Sequence, residues 1–125
     1  MKEFKVFVNN KTGELARVTE ALAAGAVNIR ALASEGGSSK AFLRVVTGDV
    51  ATTEKALKNA GLTFELNEIV DLELMDRPGE LAKIARRLAR QGVNIESIYI
   101  LGTKNGKTQI AMTVSDLEKA KSALR

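Results

Sequence analysis

The sequence predicts an α+β protein made of two βαββαβ modules. Each module is an antiparallel sheet with its helices on one face, and the second lacks its last strand. Three observations lead there. The 125-residue chain repeats itself at an offset of 66. Each copy alternates between period-two and helical apolar spacing. The composition, 45% hydrophobic and 27% charged, is that of a folded soluble chain.

The repeat decides the domain organisation. Asn10-Lys-Thr-Gly-Glu-Leu-Ala-Arg-Val18 matches Asp76-Arg-Pro-Gly-Glu-Leu-Ala-Lys-Ile84, and Val27-Asn-Ile29 matches Val93-Asn-Ile95. Over residues 10–29, nine of twenty positions are identical, where chance gives one or two. With one extra residue in the following turn, Leu43, Val45 and Thr47 match Ile110, Met112 and Val114. The first module is expected over residues 1–68 and the second over 69–125.

In the first copy, Phe4, Val6 and Val8 alternate as in a half-buried strand. A polar turn follows. Leu15, Val18, Leu22 and Ala26 then fall on a helical stripe. Val27 to Ser34 reads as a strand, Gly36 to Ser39 as a hairpin turn, and Ala41 to Thr47 as a third strand. A second helix runs from Val50 to Ala60, stopped by Gly61, and Leu62 to Glu68 is a fourth strand. The second copy repeats the order. It has a strand at Val70 to Met75, a helix at Gly79 to Arg90 and a strand at Val93 to Leu101. A turn at Gly102 to Lys107, a strand at Thr108 to Val114 and a helix capped by Asp116 complete it. No fourth strand follows, so the first strand of this copy needs another edge partner. Between the copies, Leu62, Phe64, Leu66, Val70, Leu72 and Leu74 keep one alternation, which predicts a single long or bent strand.

Missing residue types exclude much chemistry. With no Cys and no His there is no disulfide, no thiolate, no Cys-ligated zinc and no imidazole base. No paired carboxylates in a plausible cleft, metal cluster or phosphate loop appears, so an enzyme is not expected and no cofactor is implied. Gly102 to Thr108 resembles a phosphate loop superficially, but its spacing is short and it joins two strands, with Asn105-Gly106 as a tight corner. The net charge of +4 is spread as +2 in residues 1–66 (nine cations, seven anions) and +2 in 67–125 (ten and eight). The N-terminal residues lack a signal-peptide core and no stretch is long and apolar enough to span a membrane, so a cytoplasmic location is the expectation.

Each copy places a polar turn between its first strand and first helix: Asn10, Thr12 and Gly13, then Asp76, Pro78 and Gly79. A helix N-terminus carries unpaired N–H groups and partial positive charge, which favour a carboxylate. Glycine lets a ligand approach the backbone. Asn28 and Asn94 open the next strand, which returns toward the turn, and an amide offers both donor and acceptor. The expectation is that each Asn faces the crevice of its own turn, or that the Asn comes from a neighbouring domain. Such a set suits a zwitterion, although the same residues also serve as ordinary caps and turns.

The two segments together resemble the ACT domain family, small regulatory modules appended to enzymes of amino-acid biosynthesis. The resemblance covers nearly the whole chain as two tandem copies and is clearest over residues 70–101. It implies a ferredoxin-like fold, an amino-acid ligand bound where two such domains meet, and a metabolic enzyme as regulatory target. Carried over, the contact positions are Asn10, Thr12, Gly13, Leu15, Asn28 and Ile29, and Asp76, Pro78, Gly79, Leu81, Asn94 and Ile95. The copies differ in detail. Gly92 ends the second helix motif, whereas in the first copy Gly25 comes one residue early and Ala26 takes that place. One site alone is therefore expected to be competent, or the two to be unequal.

Other readings are weaker. Lys83, Arg86, Arg87 and Arg90 form a basic helix face, but the third strands carry only Phe42 as a stacking ring, so nucleic-acid binding is not favoured. A ligand-free oligomerisation module remains the main alternative. Ile98-Tyr-Ile-Leu101 is apolar on both faces of an edge strand, which predicts pairing across a two-fold axis in a homodimer.

Overall fold

Strand alternation and helix stripes meet in two separate cores. The structure is a computed structural model that describes residues 1–9, 11–35 and 41–125. The chain divides into two compact units, Met1–Asn67 and Glu68–Arg125. Both are antiparallel α+β modules of ferredoxin-like type.

The first unit contains β1 (Lys2–Val8), α1 (Glu14–Ala24), β2 (Ile29–Glu35), β3 (Ala41–Thr47), α2 (Val50–Asn59) and β4 (Thr63–Glu68). Its sheet order is β2-β3-β1-β4. Phe4 lies opposite Val45 and Val6 opposite Leu43, so these four side chains share one face. Val18 and Leu22 of α1 and Leu57 of α2 pack on that face, so both helices cover the same side. Phe64 of β4 meets Phe4 at 5.5 Å between ring centroids, a tilted pair. On the other face, Glu3 is fully buried. Its carboxylate accepts hydrogen bonds from Arg44 at 3.0 Å and Asn67 at 2.9 Å, which ties β3 and β4 to β1. The turn expected at Gly36 to Ser39 lies outside the described residues.

The second unit contains β5 (Val70–Met75), α3 (Glu80–Arg90), β6 (Ile95–Lys104), β7 (Lys107–Val114) and α4 (Leu117–Ala123). Its three-stranded order, β5-β7-β6, leaves β5 and β6 at the edges of that sheet. Val70, Leu88, Val93, Ile110, Met112 and Ala120 form its core.

Two expectations change. The junction is not one strand: β4 and β5 are separated by Ile69 and belong to different sheets. The hydrophobic phase persists, but the hydrogen-bonding neighbour changes from β1 to β7, and the ladder breaks there. The turn between β6 and β7 shrinks to Asn105 and Gly106, with φ of 54° and 73°, the backbone of a tight hairpin. The strands absorb the remaining residues, and a bulge at Ile100/Gly102 takes up the register.

Helix ends explain the displaced glycine. After α1, Val27 N–H donates to the Leu22 carbonyl at 2.9 Å. After α2 and α3, Leu62 and Val93 donate to Leu57 and Leu88, each at 3.0 Å. The residue before each donor is left-handed: Ala26 (φ 56°), Gly61 (φ 71°) and Gly92 (φ 71°). Ala26 therefore does occupy the position that glycine takes elsewhere. Gly25 serves another purpose, since a Cβ there would stand 2.7 Å from Cβ of Ala56 on α2. It allows α1 and α2 to approach.

Ala26→Gly should raise stability by about 1 kcal/mol, the ordinary cost of a left-handed L-residue. Gly25→Ala should lower it by about 1–3 kcal/mol through overpacking. Urea unfolding of both variants beside wild type measures the two effects, and equal midpoints would refute the packing account.

Candidate functional site

The four helices begin in two different ways. α2 and α4 are capped by side chains: Asp49 accepts from Thr52 N–H at 3.1 Å, and Asp116 accepts from Lys119 N–H at 3.0 Å. α1 and α3 begin at Gly13 (φ 94°) and Gly79 (φ 88°), and among the described residues no side chain caps either. Nothing lies within 4 Å of where a Cβ would stand on either glycine. At the second corner Glu80 N–H donates to the Arg77 carbonyl at 3.5 Å, and among the described residues no side chain accepts from the other first-turn amides of either helix, the kind of group that favours a carboxylate.

The acids that follow the two glycines face cations. Glu14 is buried and pairs with Arg17 at 3.4 Å and Lys11 at 3.8 Å. Glu80 pairs with Arg77 at 2.6 Å and Lys83 at 3.2 Å. Hydrogen bonds from Arg77 and then Lys83 hold the Glu80 carboxyl below the usual carboxylate range.

The corners gather only part of the expected set. Thr12, Gly13 and Leu15 stand exposed at the first, and Asp76, Pro78, Gly79 and Leu81 at the second. Asn10 lies outside the described residues. Beside the first corner is a cleft of about 140 Å³, lined among others by Lys11, Glu14, Leu15, Glu35 and Phe42. At the second, Asp76 N–H donates to the Gly106 carbonyl at 2.8 Å, and the Asp76 carboxylate accepts from Thr108 Oγ1 at 3.4 Å. The hairpin residues Gly106 and Thr108 therefore belong to this corner. Sequence spacing did not bring them in, because their approach follows from strand register.

Asn28, Ile29, Asn94 and Ile95 are elsewhere. Ile29 pairs with Thr47, which also pairs with Lys2, whereas the corner follows Val8, opposite Ala41. Six strand residues, about 20 Å, separate the two ends. Likewise Ile95 pairs with Val114, while Met75, just before the second corner, pairs with Lys107. The expectation that each Asn faces the crevice of its own module is corrected. A helix that recrosses the sheet delivers the next strand to the far end. The Asn94 backbone is tied there to Ser115, by N–H to Oγ and carbonyl to N–H contacts, each of 2.9 Å.

The edges beside α1 and α3 are apolar. On β6, Ile98 and Ile100 are 41% and 68% exposed. Leu81, Ala85 and Ala89, spaced along one side of α3, are also exposed. On β2, Ile29 and Leu32 are each 38% exposed. Among the described residues no helix is long and apolar enough to cross a membrane, and no group of three or more acidic residues is placed to hold a metal ion.

A family described as an ACT domain pair matches residues 1–124. Protein BT0572 from Bacteroides thetaiotaomicron is 30% identical, with a TM-score of 0.86 over 98% of this chain and 85% of that one. The ligand-free regulatory subunit of aspartate kinase from Thermus thermophilus is 22% identical, with a TM-score of 0.70 over 99% and 87%. A structure of aspartokinase alpha and beta subunits is 24% identical, with a TM-score of 0.65 over 98% and 88%. The latter two show the shared fold. No curated protein matches the chain.

The lowered Glu80 carboxyl makes a pH prediction. Its stabilising effect is present above the unfolded carboxyl value and is lost as pH falls through the folded one. Asp49, held low by Thr52, acts in the same direction. Thermal midpoints should fall between about pH 5 and pH 2, and Glu80→Gln should flatten part of that fall. Superimposable profiles for variant and wild type would remove the Arg77–Glu80–Lys83 contacts from the account.

Proposed function

The chain belongs to the family of ACT domain pairs, and on that premise we propose that it is a non-catalytic, dimeric regulator that binds a free amino acid. The observation that carries this reading is the division among the helices. Those with Asp caps are closed, while those that begin at Gly13 and Gly79 have no side-chain cap among the described residues. Open amides favour a carboxylate, and Asp76 offers an acceptor to an ammonium group.

The missing Asn comes from a second copy. An edge strand that pairs with itself across a two-fold axis runs antiparallel to its partner. The start of β6 in one protomer then lies beside the end of β6 in the other. This brings Asn94 and Ile95 of one copy toward the Asp76–Gly79 corner of its mate. The exposed Ile98, Ile100, Leu81 and Ala85 supply the apolar contact. The same logic applies to Asn28 and Ile29 with the Thr12–Gly13 corner through β2.

A ligand bridging two modules binds best to one arrangement of them and shifts the population toward it. The chain acts in the cytoplasm, and the target that reads that arrangement is an enzyme of amino-acid metabolism. Regulatory subunits of aspartate kinase among the structural neighbours support this class of partner.

A thermal-shift screen against the twenty amino acids should show one class raising the midpoint. Ligand at 100 times its dissociation constant adds roughly 2.7 kcal/mol. Gly79→Asn keeps a residue that tolerates positive φ and fills the open corner. It should abolish the response of the second site, as should Asn94→Ala. Mixing equal amounts of the two variants should restore about a quarter of the second site's capacity, because about half of the dimers are mixed and each of these contains one intact pair of two. Failure of the mixture to respond would overturn the shared site. Ile100→Lys should give a monomer in light scattering at about 50 µM, above typical micromolar dissociation constants. An Ile100→Lys dimer would move the interface away from β6. A screen with no responding amino acid would favour the ligand-free oligomerisation module.

A further inference from the structure

Superimposing the repeat on the sheet register shows one face that the two modules use differently. On the side of the first sheet away from its helices, Phe7 lies opposite Phe42, and Lys5 opposite Arg44. The Lys5 ammonium sits 4.3 Å from the Phe42 ring centre and the Arg44 guanidinium 4.9 Å from it, so rings and cations fill this surface. The repeat puts Asp71, Glu73, Gln109 and Ala111 at the matching positions of the second module. Asp71 pairs with Ala111, Glu73 with Gln109, and Gln109 with Gly102. Where the first module has rings, the second has a carboxylate and an amide, and Gly102 carries no side chain.

The result is an open trough of about 550 Å³, lined by Asp71, Glu73, Gly102, Lys104, Lys107 and Gln109 together with Leu72 and Thr103. A bulge at Ile100/Gly102, a feature that increases local twist, sits beside the trough. Charge is separated across the trough. Asp71 and Glu73 stand on β5, while Lys104 and Lys107 pair with each other at the hairpin. Gln109 Nε2 donates to both oxygens of Asp71, at 3.1 and 3.3 Å, and holds that carboxylate in place. No ion pair joins Glu73, Lys104 or Lys107 to another described residue. Like charges directly opposite on paired strands are unfavourable, so the two lysines gain from a shared anion.

We propose that this trough is a second ligand site, for an extended dipolar molecule with a carboxylate at one end and a cation at the other. The carboxylate lies between Lys104 and Lys107, and the cation against Glu73 and Asp71. Diagonal neighbours on paired strands lie about 7–8 Å apart, and Lys104 is one strand further, so the charges of the ligand must be separated by a comparable span. A basic amino acid is the simplest molecule of this class. The trough adjoins the second corner at the β6–β7 hairpin but shares no lining residue with it, and that corner suits an α-ammonium and α-carboxylate held close together.

The test is amide-resonance mapping on the full chain with L-arginine, agmatine, which lacks the carboxylate, and L-citrulline, which keeps the α-ammonium but lacks the side-chain guanidinium charge. L-Arginine should shift the resonances of residues 71–73, 102–104 and 109, which do not touch the Asp76 corner, saturably and with a dissociation constant on the order of 1 mM. Agmatine and L-citrulline should bind at least about tenfold more weakly, the loss of one charge-assisted contact. Glu73→Gln and Lys107→Gln should each weaken L-arginine by about tenfold, while Gly79→Asn should leave these shifts unchanged. No saturable shift at these residues, equal binding of the truncated probes, or loss of the shifts in Gly79→Asn would overturn the proposal. None of those results bears on whether the corners bind an amino acid.

Discussion

The return path of the first helix in each module is the constraint on which the rest depends. α1 and α3 must recross their sheets before the next strand begins. The glycine corner and the Asn that the repeat couples to it therefore stand a full strand length apart. This follows from antiparallel register, in which Ile29 shares a row with Lys2 and Val8 shares a row with Ala41. An isolated module cannot close one ligand between these elements. The exposed apolar side chains on β2 and β6 are the surfaces on which the proposed pairing of two copies rests.

Duplication preserved the buried half of the module and released the other half. Val18 and Leu22 have their counterparts in Ile84 and Leu88, and both helices pack on matching strand positions. Packing is unforgiving of volume changes, so these positions stay alike. The faces away from the helices answer to different demands. Rings and cations on one sheet become carboxylates, an amide and a glycine on the other, with no change in register. The same divergence appears in the helix layer. Gly25 allows close approach to Ala56, whereas α3 carries Arg86, Arg87 and Arg90 on its outer side.

Helix starts show how a local choice of residue becomes chemistry. An Asp before α2 or α4 satisfies the first amides from within. A glycine in the left-handed region before α1 or α3 turns the chain without offering any acceptor. The acids in the next position, Glu14 and Glu80, are engaged by Lys11, Arg17, Arg77 and Lys83. Among the described residues the corners are thus neither capped by a side chain nor neutralised by their own acids. The two differ in one respect: position 76 is Asp where position 10 is Asn.

The sequence by itself determined the repeat, the order of the elements, the antiparallel class of both sheets, the Asp116 cap, the Asn105-Gly106 hairpin and the left-handed cost at Ala26. Each of these is a local matter of periodicity, capping or backbone sterics, written within a few residues. Only the tertiary structure decided the rest. The strand at the junction breaks at Ile69, because a continuous hydrophobic phase does not specify which neighbour supplies the hydrogen bonds. Asn28 and Asn94 lie far from their own corners, because only register turns chain direction into distance. Gly106 and Thr108 approach Asp76, and Gly102, Gln109 and Glu73 form one row, for the same reason: residues distant in the chain become neighbours only when strands pair.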